Sequence, residues 1–185
     1  MDSSKDGKTG NMEIAVSEDK SLREDEKVIE VEPDIMVNGK TYYKIDRAST
    51  HTLVIHCGDP RFQTAFRRFI TEELGIASYT PLVIGGGIHA IGMKNFLPKN
   101  FKILWEQIKF HIKERKLDQV IIINHEDCDW YDKMKGYYGN TNLPLKGKLD
   151  LKDAALTILN DFVGVNVRTF WAALEDDRIV FSEVK

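Results

Sequence analysis

Both cysteines of this 185-residue chain lie in short polar motifs. One motif is Cys-Gly-Asp-Pro-Arg at 57–61, and the other is His-Glu-Asp-Cys at 125–128. Thiolate and imidazole are ligands that zinc prefers in proteins. Cys57, His125 and Cys128 are therefore predicted to bind one zinc ion. Three protein ligands leave a fourth position for water, which is the pattern of catalytic zinc sites.

Asp59 and Arg61 follow the first cysteine and are the predicted catalytic residues. The Arg61 guanidinium can hold the Asp59 carboxylate in a bidentate ion pair, which keeps the carboxylate ionised and oriented. Such a carboxylate either accepts a hydrogen bond from zinc-bound water or takes the fourth ligand position itself. The sequence leaves both arrangements open.

Strands and helices that alternate from residue 52 onward must position these motifs. The apolar stretch 53–55 predicts a strand that leads into the first motif, where Asp59-Pro60 is a helix-start signal. The β-branched run 120–123 is typical of a central parallel strand and leads into the second motif. Because the carboxyl ends of parallel strands share one edge of a sheet, both motifs are expected at that edge.

The other segments complete the predicted fold. Strands are expected at 79–84, 165–173 and 179–184, helices at 62–74, 98–112 and 151–159, and a loop at 124–148. This order predicts an α/β fold, with a mostly parallel central sheet flanked by helices and a C-terminal antiparallel strand pair.

The charge pattern sets the N-terminal part of the chain apart. Residues 1–34 contain eleven acidic and five basic side chains, a net charge of −6. Because residues 1–26 have few aliphatic and no aromatic side chains, a flexible acidic tail is predicted there. Asn38-Gly39 between β-formers predicts a small hairpin within 27–50. Residues 51–185 are predicted to be the zinc-binding catalytic domain.

The composition excludes several kinds of partner. With 26 Lys+Arg against 29 Asp+Glu, the chain has no basic excess for binding nucleic acid. No apolar run approaches the roughly 20 residues of a membrane-spanning helix, so no membrane association is expected. The N-terminus lacks the apolar region of a secretion signal. A cytoplasmic protein with a small-molecule substrate is predicted.

Together, the motifs at 57–61 and 125–128 resemble the signature of the β-class carbonic anhydrases. The resemblance implies that Cys57, His125 and Cys128 bind zinc and that Asp59 and Arg61 act as a gating pair. It further implies that zinc-bound hydroxide converts carbon dioxide reversibly to bicarbonate. Members of the family form dimers or larger homo-oligomers, with the active site at the subunit interface.

The chain departs from the family pattern at two places. The family has an Arg-Asn-Ala-Gly stretch after the second strand, where this chain has Ile-Gly-Gly-Gly-Ile-His at 84–89. Gly86 and Gly87 are candidates for anion binding through their amides, or form a tight turn. His89 is a candidate for proton transfer, or a packed histidine. The family's glycine after the second cysteine is Asp129 here.

Aromatic residues follow the second motif, namely Trp130, Tyr131, Tyr137 and Tyr138. They are expected either to pack together or to line an apolar entrance. The neighbouring carboxylates of Asp127 and Asp129 are interpreted as ordinary loop residues.

Three other functions remain open from the sequence. The same site would suit a related small electrophile such as COS or CS2, because the shape of the pocket decides the substrate. A non-catalytic, zinc-stabilised binding or regulatory protein would instead have a closed site with four ligands. A redox dithiol would form a disulfide between Cys57 and Cys128.

Overall fold

A computed structural model describes residues 35–37, 40–42 and 50–185. The chain divides into two units, Met1–Asp46 and Arg47–Lys185. In the first unit, β1 (Ile35–Val37) and β2 (Lys40–Tyr42) pair antiparallel, with Val37 opposite Lys40. The predicted acidic tail, 1–26, lies outside the described residues.

The second unit is built on a five-stranded sheet. Its strands are β3 (Thr52–Cys57), β4 (Thr80–Ile84), β5 (Gln119–His125), β6 (Asn166–Glu175) and β7 (Arg178–Glu183). They lie in the order β4-β3-β5-β6-β7. All neighbours are parallel except β6 and β7, which are antiparallel. The predicted mostly parallel sheet with a C-terminal antiparallel strand pair is confirmed.

Five α-helices accompany this sheet in the described residues. They are α1 (Gln63–Arg68), α2 (His89–Gly92), α3 (Pro98–Lys109), α4 (Asp129–Lys133) and α5 (Leu143–Asp161). Short 3₁₀ turns lie at Pro60–Phe62 and Lys135–Tyr137, and π-helical turns lie at Phe69–Glu73 and Phe110–Glu114. None of these described helices has the length and apolar character needed to cross a membrane.

The central strands β3 and β5 are buried on both faces, as is typical of central parallel strands. Leu53 and Ile122 point to a core formed with α3 and α5, where Ile108 and Ile158 are fully buried. The alternate residues of β3 and β5 contact a second core around Phe66 of α1. This double burial fixes the register of the two strands that carry the polar motifs, since a shift by one residue would exchange their faces.

The prediction of a loop over 124–148 is wrong, because this segment contains α4 and the first turns of α5. The helix α5 begins at Leu143, where the Asn142 side chain accepts a hydrogen bond from the Leu145 amide at 2.9 Å. Gly147 obscured this helix in the sequence, since glycine disfavours helix interiors. A Cβ at position 147 would lie 2.6 Å from the Trp171 ring, so close packing requires glycine there.

Candidate metal centre

The two polar motifs meet at the carboxyl edge of the sheet. Cys57 is the last residue of β3, and His125 is the last residue of the adjacent parallel strand β5. Cys128 follows in the loop that leads into α4. One ligand atom from each of these three side chains lies within 4.8 Å of the other two, and all three residues are buried. The predicted convergence of the three side chains is confirmed, and together they could hold a metal ion.

The sulfur positions fit a tetrahedral metal site. Two thiolates bound to one zinc ion at about 2.3 Å each lie about 3.8 Å apart when the angle is tetrahedral. The Cys57 and Cys128 Sγ atoms are 3.8 Å apart. A disulfide requires about 2.05 Å, and both cysteines are free. The geometry therefore fits shared metal coordination better than a disulfide.

His125 presents an unpartnered nitrogen to this site. Its Nδ1 donates a hydrogen bond to the Glu126 carbonyl at 2.7 Å, so in the neutral ring Nε2 carries the lone pair. This Nε2 is buried and has no hydrogen-bond partner among the described residues. An unsatisfied buried polar atom costs about 1–3 kcal/mol. A metal ion bound at Nε2 would remove that cost.

The hydrogen bond between the Cys57 and Cys128 side chains favours a thiolate at Cys57 and a protonated thiol at Cys128. The pKa of Cys57 is lowered to about 4, chiefly because the Cys128 thiol donates a hydrogen bond to its thiolate. The Gly86 amide nitrogen, 3.3 Å from the Cys57 sulfur, lowers this pKa further, against the effect of burial. The pKa of Cys128 is raised, since it must keep its proton to donate. One of the two thiols is thus deprotonated at neutral pH.

Asp59 and Arg61 form the predicted ion pair beside the ligands. Arg61 Nη2 lies 2.7 Å from Asp59 Oδ2, and Arg61 Nε lies 3.1 and 3.2 Å from the two carboxylate oxygens. The Asp59 side chain is only 7% exposed. Hydrogen bonds from Arg61 lower the pKa of this carboxyl group. Asp59 lies outside the group of three that could hold a metal. Its carboxylate is oriented by the hydrogen bonds from Arg61.

Asp127 has a role that the sequence did not reveal. Its carboxylate lies 2.8 Å from Arg61 Nη1, and its carbonyl accepts a hydrogen bond from Arg61 Nη2 at 2.7 Å. Its backbone φ of 54° is in the left-handed region, which aspartate tolerates better than most residues. Arg61 thereby links the loop that follows β3 to the loop that follows β5. No local pattern marks this contact, because the two residues are 66 positions apart.

The amides of the glycine turn are already engaged. Gly86 donates to Cys57 Sγ, and Gly87 donates to the Ile84 carbonyl at 3.0 Å. These contacts disfavour the predicted anion binding at Gly86 and Gly87, because an anion would have to displace them. The tight turn is the arrangement that the structure shows, with positive φ at both glycines.

His89 does not reach solvent as a proton carrier would. It is 1% exposed, its Nδ1 accepts a hydrogen bond from Trp130 Nε1 at 3.2 Å, and its Nε2 contacts the Tyr138 hydroxyl. Burial, assisted by the charge of Lys146, lowers the pKa of His89 to about 4. The ring is therefore neutral at physiological pH, and its contacts are those of the packed alternative.

A cavity of about 400 Å³ opens beside the candidate ligands. His125, Cys128, Tyr131 and Trp171 contribute to its wall. Its acidic lining consists of Glu126, Asp127, Asp129 and Asp132. Of the four aromatic residues after the second motif, Tyr131 lines this cavity, whereas Tyr137 is 59% exposed. The cavity therefore extends to two of the three candidate ligands, His125 and Cys128.

Comparisons of the fold with solved structures found similar proteins of one kind. No protein-family model matches the sequence, and no curated protein matches it by sequence. The fold is similar to that of a carbonic anhydrase from Streptococcus mutans, with 12% identity and a TM-score of 0.46 over 74% of this chain and 82% of that one.

Two further solved structures show comparable similarity. β-Carbonic anhydrase isoform I of Trichomonas vaginalis has 12% identity and a TM-score of 0.47, over 75% of this chain and 85% of that one. The β-carbonic anhydrase CafA of Aspergillus fumigatus has 11% identity and a TM-score of 0.47, over 74% of this chain and 77% of that one. These are members of the family that the two motifs resemble. Likenesses this distant assign no function to the chain, so a function has to be supported by the geometry of the site.

Proposed function

We propose that the chain binds one zinc ion through Cys57, His125 and Cys128 and catalyses the reversible hydration of carbon dioxide to bicarbonate. The observation that carries this proposal is the unpartnered Nε2 of buried His125 beside two sulfurs 3.8 Å apart. Among the described residues, this group offers three ligands rather than four. An open position is typical of catalytic zinc sites, whereas structural sites are closed.

Zinc suits this donor set, and its Lewis acidity makes a water molecule nucleophilic near neutral pH. Cys57 and Cys128 supply the soft ligands, and the Glu126 carbonyl fixes the tautomer of His125. Phe62 lies against the His125 ring, with 4.1 Å between the ring centroids, and limits its rotation. These contacts hold the ligands in place before the metal arrives.

We assign Asp59 the role of orienting the attacking water. Its carboxylate is ionised because Arg61 lowers its pKa, and it can therefore accept a hydrogen bond from that water. Arg61 is itself held by Asp127, so the carboxylate is presented in one orientation. The function of Arg61 in this proposal is to keep Asp59 away from the metal while the water is bound.

The lining of the cavity suits a neutral substrate and an anionic product. Carbon dioxide carries no net charge and is not repelled by the carboxylates of Glu126, Asp127, Asp129 and Asp132. Arg61 and Lys135 partly neutralise Asp127 and Asp132, and the negative charge that remains disfavours retention of bicarbonate. The lining of the cavity therefore favours release of bicarbonate, the product of hydration.

We further propose a homodimer or larger homo-oligomer. Exposed leucines lie along one side of α5, at spacings of four, seven and three residues: Leu145, Leu149, Leu156 and Leu159. An apolar helix side of this kind is commonly buried between subunits. Sedimentation equilibrium should give a mass of at least two chains of 21.2 kDa each. The mass of a single chain, 21.2 kDa, would contradict the assembly.

The location and the division of the chain are also proposals. Two free buried thiols suit a reducing compartment, which supports a cytoplasmic location. We propose the division into an acidic tail at 1–26, a hairpin extension at 27–50 and a catalytic domain at 51–185 on the charge and turn patterns of the sequence.

Metal analysis combined with a stopped-flow hydration assay tests the proposed function. The full-length protein is expected to contain about one zinc per chain and to hydrate carbon dioxide. Removal of zinc with a chelator should abolish hydration, and added zinc should restore it. COS and CS2 are assayed in parallel, because turnover of either without carbon dioxide would identify a different electrophile. Zinc without any turnover across pH 7–9 would refute the enzyme and indicate a binding protein.

A further inference from the structure

The indole of Trp130 lies directly on the glycine turn that follows β4. A Cβ at position 86 would be 2.4 Å from Trp130 Cδ1, and a Cβ at position 85 would be 3.3 Å from Trp130 Cε3. Gly86 also has a φ of +74°. Only glycine fits at position 86, since any side chain there would both clash with the ring and strain the backbone.

This turn carries a hydrogen bond to one of the candidate metal ligands. The Gly86 amide donates to Cys57 Sγ at 3.3 Å. The next residue, Gly87, is also tightly enclosed, because a Cβ there would be 2.9 Å from Asn124 Oδ1 and 3.4 Å from the Cys57 backbone nitrogen. The position of the turn therefore determines whether the amide points at the sulfur.

Trp130 is itself fixed by a buried histidine. Its Nε1 donates to His89 Nδ1 at 3.2 Å, so the neutral His89 ring carries its proton on Nε2, next to the Tyr138 hydroxyl. The His89 ring also meets Tyr131 edge-on, with 4.9 Å between the ring centroids. Three aromatic side chains, Trp130, Tyr131 and Tyr138, thus surround the imidazole, and its Nδ1 orients the indole through the hydrogen bond from Trp130.

We propose that His89 and Trp130 are positioning residues for the metal centre, which hold the glycine turn so that the Gly86 amide donates to the Cys57 thiolate. This inference rests on the proposed zinc site. The hydrogen bond withdraws electron density from the sulfur and so tunes its bond to the metal. His89 acts through Trp130 and takes no part in proton transfer.

Cobalt(II) substitution of the full-length protein provides the test, because the sulfur-to-cobalt charge-transfer band reports directly on the thiolate. Trp130→Ala should move this band to longer wavelength and weaken zinc binding by about 10-fold to 100-fold in a chelator competition. Trp130→Phe retains an aromatic ring but lacks the N–H group, and should show the same band shift to a smaller extent. Trp105→Phe is the matched control, because Trp105 is buried on α3, where its ring meets Phe162, and this change should leave the band in place.

His89 is tested by two variants of similar size. His89→Asn keeps an acceptor near the position of Nδ1 and should retain the wild-type band, whereas His89→Leu removes the acceptor and should shift it. A merely structural role of His89 would affect thermal stability in both variants without this difference in the spectrum.

The outcomes separate this inference from the proposed function. Metal binding with an unchanged band in Trp130→Ala and His89→Leu would overturn the inference alone. Metal binding with the expected shifts but without carbon dioxide hydration would support the inference and refute the enzyme. Wild-type protein that binds neither zinc nor cobalt would overturn both.

Discussion

Replacement of His125 by glutamine, or of Cys57 by serine, will remove zinc and carbon dioxide hydration together. Each change takes away one of three ligands that lie within 4.8 Å of one another, and neither oxygen-bearing side chain is a comparable zinc ligand in this position. Zinc content should fall from about one per chain to a trace. Hydration should fall to the uncatalysed rate. Elemental analysis and stopped-flow assays of the same preparations measure both.

His111→Gln is the matched control for the histidine variant. His111 also has a buried nitrogen without a partner among the described residues, at Nδ1, and lies in the helical turn Phe110–Glu114. This control therefore loses a comparable imidazole and should keep its zinc. Stoichiometric zinc in His125→Gln would show that the metal binds elsewhere, and the proposed centre would be refuted.

Asp59→Asn will lower hydration by about 100-fold to 10,000-fold while zinc remains at about one per chain. The amide keeps the shape of the carboxylate but loses its charge, so it is a much weaker acceptor for the attacking water. The three ligands are unaffected, because Asp59 lies outside their group. The measurements are kcat/KM for hydration and the zinc content of the variant.

Asp127→Asn separates this role from a general effect of charge. Asp127 binds the same guanidinium at 2.8 Å, but its side chain is 65% exposed. Exposed ion pairs contribute about 0.2–1 kcal/mol, so hydration should fall by less than about tenfold. Equal losses in the two variants would show that the Arg61 ion pairs, rather than the Asp59 carboxylate, support the reaction.

Local patterns were sufficient to predict the two strands that end at the candidate ligands Cys57 and His125. The β-branched run of β5 and the helix-start signal at Asp59-Pro60 are properties of neighbouring residues, and both are found where expected. The convergence of Cys57 with His125 followed from one general property of parallel sheets, that adjacent strands end at the same edge. The types of the three candidate ligands and their approximate meeting point were therefore determined by the sequence.

Other features of the site depend on contacts between distant residues and were decided only by the tertiary structure. The hydrogen bonds of Arg61 with Asp127, of Gly86 with Cys57 and of Trp130 with His89 span 66, 29 and 41 positions, respectively.

The start of α5 was missed for the same reason, since Gly147 reads as a helix breaker until Trp171 occupies the space beside it. Propensity and spacing describe what each segment favours alone. Which side chain fills the space beside a glycine, or meets a free guanidinium nitrogen, depends on how the segments pack.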